Sequence, residues 1–258
     1  MIECSLITGA SSGIGEEFAR QLAREGHNLL LVARREEKLQ QLVTELQSND
    51  VKVFAVRADL FDEESIPVII QEIKKNNVFI NYLVNNAGVG IQSAFLEKPV
   101  KEWASHVHLN IVRFIELTHA LLPEMATHSD GTIVNIASAG AFQALPWYSI
   151  YGSNKSFMLS FSEGLSEEVS PMKIQVTCIC PGAVKTDFNR NAGIDTGRTP
   201  SALFMSSEKV VKLSLGAVKR GKRVYIPGLI NKINVFAQRL LPRRMVTKIA
   251  SRIYKPRG

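Results

Sequence analysis

The chain has 258 residues, with 31 Lys+Arg against 24 Asp+Glu and a formal net charge of +7. A hydrophobic share of 45% beside 21% charged residues excludes a disordered chain and suffices for a large core. No apolar run approaches the ~18–20 residues of a membrane span, and three cysteines are too few for a disulfide framework.

Met1 leads directly into the apolar run Cys4-Ser5-Leu6-Ile7, with no charged leader and no small-residue cleavage site. No signal peptide is therefore expected, and a cytoplasmic location with reduced thiols is. Ile2–Thr8 reads as a strand. The next residues, Gly9-Ala10-Ser11-Ser12-Gly13-Ile14-Gly15, place three glycines between that strand and a helix expected over Gly13–Glu25. Glycines there allow a tight turn and the close approach of a pyrophosphate, and the helix N-terminus supplies N–H donors. The spacing is not G-x-G-x-x-G.

Asn28–Ala33 is a continuous apolar run, as a strand buried on both faces requires. Arg34 and Arg35 follow it. In a dinucleotide-binding fold this strand end meets the adenosine ribose, where an acid suits a free 2′-hydroxyl and an Arg suits a 2′-phosphate. A helix over Glu36–Gln47, a strand Lys52–Val56, a helix Glu63–Lys75 and a strand Ile80–Val84 continue the alternation. A long helix, Trp103–Met125, is followed by strand Thr132–Ile136, helix Tyr151–Val169 and strand Ile174–Ile179. Cys178 and Cys180 fit alternation in that strand, and His106, His108, His119 and His128 form no metal pattern, so no metal is expected. A helix near Glu208–Lys219 and a strand near Arg223–Ile226 close the body. Strands alternating with helices imply a doubly wound parallel sheet of about seven strands, Rossmann-like, with helices on both faces.

Tyr151 and Lys155, one helical turn apart, share a helix face. A phenol titrates near 10, and a neighbouring cation would lower it toward the working range of an acid–base group. Ser138, just past a strand end, can donate to a substrate oxygen, and Asn110 can anchor a water near Lys155.

Together these residues resemble the short-chain dehydrogenase/reductase family, from Ile2 to about Thr186. The glycine turn, with Ser11, Ser12 and Ile14 inside it, is similar to the family's cofactor turn. Asp59 and Leu60 resemble its adenine-contacting segment, and Asn86, Ala87 and Gly88 belong to its Asn-Asn-Ala-Gly motif. Asn110, Ser138, Tyr151 and Lys155 resemble its catalytic tetrad, and Pro181, Gly182, Val184 and Thr186 its nicotinamide-cradling segment. Asn154 departs from the small hydroxyl residue usual before the Lys.

The resemblance implies that Tyr151 is the general acid or base, Lys155 lowers its pKa and binds the nicotinamide ribose, Ser138 orients the carbonyl and Asn110 supports a proton relay. With Arg34, helped by Arg35 or Lys38, NADP(H) is expected over NAD(H). The rival from another class is a non-catalytic NADP-binding redox sensor or scaffold. Phe142, Pro146, Trp147, Tyr148, Phe188, Leu203, Phe204 and Met205 suggest a hydrophobic ketone or aldehyde, with a lid at about 187–207. The family's long helices suggest a homodimer or homotetramer.

The catalytic unit is expected over 1–228. The extension 229–258 stands apart in charge: residues 1–208 carry 17 bases and all 24 acids, whereas 209–258 carry 14 bases and no acid. Met245, Ile249 and Ile253 recur at steps of four beside Arg244, Lys248 and Arg252, the pattern of a basic amphipathic helix. Docking on the body, on a second subunit or on an anionic membrane are the placements left open; nucleic acid is not expected.

Overall fold

A computed structural model describes residues 1–194 and 204–255. Its centre is a seven-stranded sheet, all neighbours parallel, in the order β3-β2-β1-β4-β5-β6-β7. The strands are β1 Ile2–Thr8, β2 Asn28–Ala33, β3 Val53–Arg57, β4 Val78–Asn85, β5 Gly131–Ile136, β6 Ile174–Ile179 and β7 Val224–Tyr225.

The apolar runs are buried because successive side chains point to opposite faces and both faces are covered. On one side Leu6, Leu30, Val32 and Ile133 pack against α3 (Ser65–Lys75), α5 (Phe114–His128) and α6 (Ser149–Val169) through Ile69, Leu117 and Leu165. On the other, Ile7, Leu29, Leu31 and Val134 meet α1 (Gly13–Arg24), α2 (Glu36–Leu46) and α8 (Ser207–Lys219) through Phe18, Leu39 and Val211. Each fully buried Leu in these layers contributes about 1.5–3 kcal/mol. The strand order reverses between β1 and β4, which opens a crevice at their C-terminal ends.

Two elements differ from the sequence expectation. The single helix expected over Trp103–Met125 is a compound one: α4 Val100–Val107, a π-helical stretch His108–Arg113, and α5. The wide turn holds Asn110, whose side chain makes two bonds to the backbone of Val89. Those bonds stabilise a local departure from regular α-helix. The tail, expected as one amphipathic helix, is two: α9 Leu229–Leu240 and α10 Arg243–Tyr254. Pro242 separates them, with Leu241 before it held extended. Between α6 and α8 lies the short helix α7, Asp187–Asn191. Of the expected lid, Leu203, Gly197 and Pro200 lie outside the described residues.

Candidate active site

The turn after β1 is tied to the end of β4. The Asn86 side chain donates to the carbonyls of Thr8 (2.9 Å) and Gly9 (3.3 Å), and the backbone N–H groups of Asn86 and Ala87 both donate to Thr8 Oγ1 (3.0 Å each). Gly9 and Gly13 take φ of +66° and +62°, and a Cβ on Gly15 would collide with the Gly9 carbonyl. This close fit needs glycine at all three places. Ser12, the N-cap of α1, spends no side-chain bond on the helix's first N–H groups, so those donors and the helix dipole face the crevice. Ile14 packs half-buried against the core behind them. A pyrophosphate fits such a turn.

At the end of β2, Arg35 donates to Ser11 Oγ (3.2 and 3.1 Å) and to the Ser11 carbonyl (3.0 Å). Arg34 lies over the Phe61 ring, 5.8 Å from its centroid, with Asp59 Oδ2 at 3.6 Å. Asp59 also accepts from the Phe61 N–H (3.1 Å), and Leu60 is turned into the core. Ser11, Arg34, Arg35 and Asp59 thus gather at one end of the crevice.

The expected tetrad gathers at the other end. Ser138 caps a 3₁₀ turn, Ala139–Phe142, by accepting from the Gly140 N–H (3.0 Å). That use of a lone pair leaves its O–H free to donate, and Tyr151 is within hydrogen-bond reach. Lys155 is buried and donates to the Ile136 carbonyl (2.7 Å). Its ammonium lies 5.7 Å from the Tyr151 ring centroid. Gly88 lies beside both other members: a Cβ there would sit 3.1 Å from Asn110 Oδ1 and 3.6 Å from Lys155 Nζ. Asn154, the departure from the family pattern, is buried in α6.

Burial pushes the Tyr151 phenol up to about 12; the Ser138 hydrogen bond opposes this, while Tyr254 and Cys180 add to the rise. Desolvation is the largest of these effects, and the Lys155 ammonium is directed at the Ile136 carbonyl. The Asn110 amide makes one bond to Val89 at each end, which leaves a second N–H and a second oxygen lone pair for other partners.

The segment after β6 closes this end. The Pro181 carbonyl accepts from the Ala139 N–H (2.7 Å), and Val184 bridges Met205. Thr186 caps α7 and lies against the glycine turn, where a Cβ on Gly13 would sit 3.0 Å from its methyl. Gly182 leaves room for Asn231 of α9, whose side chain a Cβ at 182 would strike.

The residues 3–197 match the family model for short chain dehydrogenases. The chain belongs to the short-chain dehydrogenase/reductase family. The dehydrogenase/reductase SDR family member 7B of Xenopus tropicalis is 31% identical over 265 residues, covering 98% of this chain and 86% of that protein. A short-chain dehydrogenase from Sphingobium yanoikuyae, solved in complex with NADPH, superposes with a TM-score of 0.82 at 32% identity, covering 93% and 95% of the two chains. A bulky-bulky ketone specific alcohol dehydrogenase from Comamonas testosteroni superposes at 0.77 with 31% identity, covering 93% of each. Membership makes the chain an oxidoreductase of the nicotinamide-dependent kind.

Around this short-chain dehydrogenase site Thr118, Asn135, Ser162 and Tyr254 carry no signal in the sequence, whereas Asn85 opens the Asn-Asn-Ala-Gly segment and Tyr148 and Phe188 belong to the expected apolar lining. Asn85 donates to Thr118 Oγ1 and Asn135 Oδ1 (3.0 Å each), and Asn135 donates to Ser162 Oγ (2.9 Å), a fully buried polar brace linking β4, β5, α5 and α6. Tyr148 stacks on Tyr151 at 4.3 Å, and Phe188 lies 5.6 Å from the Tyr151 ring. Tyr254, at the end of α10, is 6.5 Å from the Tyr148 ring and packs with Leu145, Tyr148 and Ala192. Its carbonyl accepts from Gln92 Nε2 (2.5 Å). The tail beyond the matched region therefore supplies one wall.

Burial lowers the Lys155 ammonium from its ordinary 10.5 to about 8. Between those values the unfolded chain holds a proton that the folded chain has released, so stability owed to this residue rises with pH. Wild type is therefore expected to gain thermal stability relative to Lys155→Met as pH goes from 8 to 10. Paired melting curves across that range check this; a gap that moved the other way would contradict the burial of a cation here.

Proposed function

We propose that the chain is an NADPH-dependent carbonyl reductase that interconverts a hydrophobic ketone or aldehyde and its alcohol. The observation that carries this reading is the grouping of Tyr151, Ser138 and Lys155 beneath a wall of Leu145, Tyr148, Phe188 and Tyr254. The neighbour solved with NADPH and the neighbour specific for bulky ketones support it. We assign the catalytic unit to 1–228 and the extension to 229–258. We also propose self-association through α5 and α6, and a cytoplasmic location; among the described residues no helix is long and apolar enough to cross a membrane.

A nicotinamide cofactor, when bound, supplies or accepts the hydride. The glycine turn and the α1 N-terminus would hold its pyrophosphate, Arg34 and Arg35 a 2′-phosphate, Asp59 and Leu60 its adenine end, and Pro181, Gly182, Val184 and Thr186 its nicotinamide end. Asn86, Ala87 and Gly88 shape the crevice floor between these groups.

Tyr151 gives its Oη proton to the carbonyl oxygen in reduction. A phenol pushed up to about 12 is fully protonated at neutral pH, which suits a general acid. Ser138 donates to the same oxygen and fixes its position. Lys155 would hold the ribose, and its positive charge would stabilise the phenolate that Tyr151 leaves after giving up its proton. Asn110, fixed by its two bonds to Val89 and set beside Gly88 and Lys155, would support the proton relay.

Three outcomes are expected. With a panel of ketones, kcat/KM is higher with NADPH than NADH, and Arg34→Ala lowers that ratio about tenfold, the loss of one phosphate-directed charge. A tenfold preference of wild type for NADH would sink the assignment of Arg34. Tyr151→Phe lowers the turnover of bound substrate by roughly 10²–10⁴-fold, read by single-turnover absorbance; unchanged transfer would remove Tyr151 from the chemistry, and no transfer by wild type with any ketone would favour a sensor. Tyr254→Ala is expected to raise the kcat/KM ratio of bulky to small ketones about tenfold by opening the wall; an unmoved ratio would place Tyr254 outside the substrate path.

A further inference from the structure

The tail helices bury one face and leave another bare. On α9, Asn231 and Val235 turn inward, whereas Leu229, Ile230, Ile233, Phe236 and Leu240 are 58–72% exposed. On α10, Val246, Ala250 and Tyr254 turn inward, and the stripe Met245, Ile249, Ile253, one residue over, is 45–54% exposed. The stripe that looks inward-facing by sequence periodicity is the outward one. Eight large apolar side chains are exposed on two consecutive helices, and exposed apolar surface of this extent marks an interaction site.

The charge around this patch narrows the occupant. Lys232, Arg239, Arg243, Arg244, Lys248 and Arg252 lie on the same two helices, and residues 209–258 contain no acid. An isologous contact with a second copy would set one acid-free face against another, at a repulsive cost. A bilayer with anionic headgroups satisfies both features at once: apolar side chains enter the headgroup–acyl boundary and bases meet phosphates.

We propose that α9 and α10 form a docking face for an anionic lipid bilayer. The helices lie in the interface plane through Ile233, Phe236, Met245 and Ile249, with Arg244 and Lys248 on headgroups. Docking rests on this surface alone and not on the reading of the reaction. Taken with that reading, it places the pocket wall carrying Tyr254 on the reverse side of a membrane-bound helix, so that a lipid-soluble carbonyl compound would reach the pocket from the bilayer.

The test is flotation of the full chain with vesicles of phosphatidylcholine, with and without phosphatidylglycerol, at low salt. Wild type is expected to float with the anionic vesicles and not with the neutral ones. Each base near the surface is worth about fivefold, so Arg244→Ala/Lys248→Ala should weaken binding roughly 25-fold. Ile233→Ser/Phe236→Ser should weaken it by more than about tenfold. Both variants alter exposed residues, and unchanged near-UV circular dichroism confirms their folding. Absence of flotation by wild type, or flotation that neither double variant weakens, overturns the proposal. So does light scattering in which Ile233→Ser/Phe236→Ser converts a dimer to a monomer, because the face then belongs to a second copy. Flotation needs no turnover, so a failed reductase assay and a failed docking assay are separate results.

Discussion

Everything at the site hangs on the clamp between Asn86 and the residues after β1. A parallel sheet buried on both faces offers polar chemistry only at its strand ends, and the β1–β4 boundary is where the chain departs in opposite directions. There Asn86 and Thr8 satisfy each other's backbone groups, so the glycine turn is held against β4 without any filling side chain. With the clamp in place, Gly88 falls beside Asn110 and Lys155, and Thr186 reaches back to Gly13 from the far strand. One side-chain amide thus sets the spacing of both ends of the crevice.

The same economy of space explains the electrostatics. Tyr151 and Lys155 are both desolvated, and burial moves them in opposite directions, the phenol up and the ammonium down. Both shifts favour neutral side chains, and they carry the two values apart, the phenol to about 12 and the ammonium to about 8. A site in this state is tuned for holding a proton on oxygen. The buried brace of Asn85, Asn135, Thr118 and Ser162 supports it from behind by fixing the ends of β4 and β5, which carry the segments that lead to Gly88 and Ser138.

Much of this was readable from the residues. Runs such as Leu29–Val32 announce a two-sided core because neither face can be polar, and glycines between a strand and a helix announce a turn with room for an anion. Alternation of elements announces a parallel sheet covered on both faces, though not the order of its strands. What stayed hidden has physical reasons. The polar brace consists of residues that are each ordinary in a strand or helix, and only their meeting makes a network. Tyr254 lies far along the chain from Tyr151, with no local pattern to connect them. In α10 two stripes of equal period run side by side, and periodicity cannot say which one faces in. Docking chose Val246, Ala250 and Tyr254, whose smaller members let the helix approach the body closely. The π turn at Asn110 was hidden because it comes from a pair of bonds to Val89, not from any helix-breaking residue.

The position of Tyr254 also bears on how such a protein diverges. Its ring packs with Leu145 and Tyr148 beside Tyr151, yet it comes from outside the stretch that matches the family model, residues 3–197. On the proposed function, hydride chemistry and substrate fit would be encoded in separate lengths of chain. Substitutions in the last helix would then reshape what is admitted while leaving Ser138, Tyr151 and Lys155 in place.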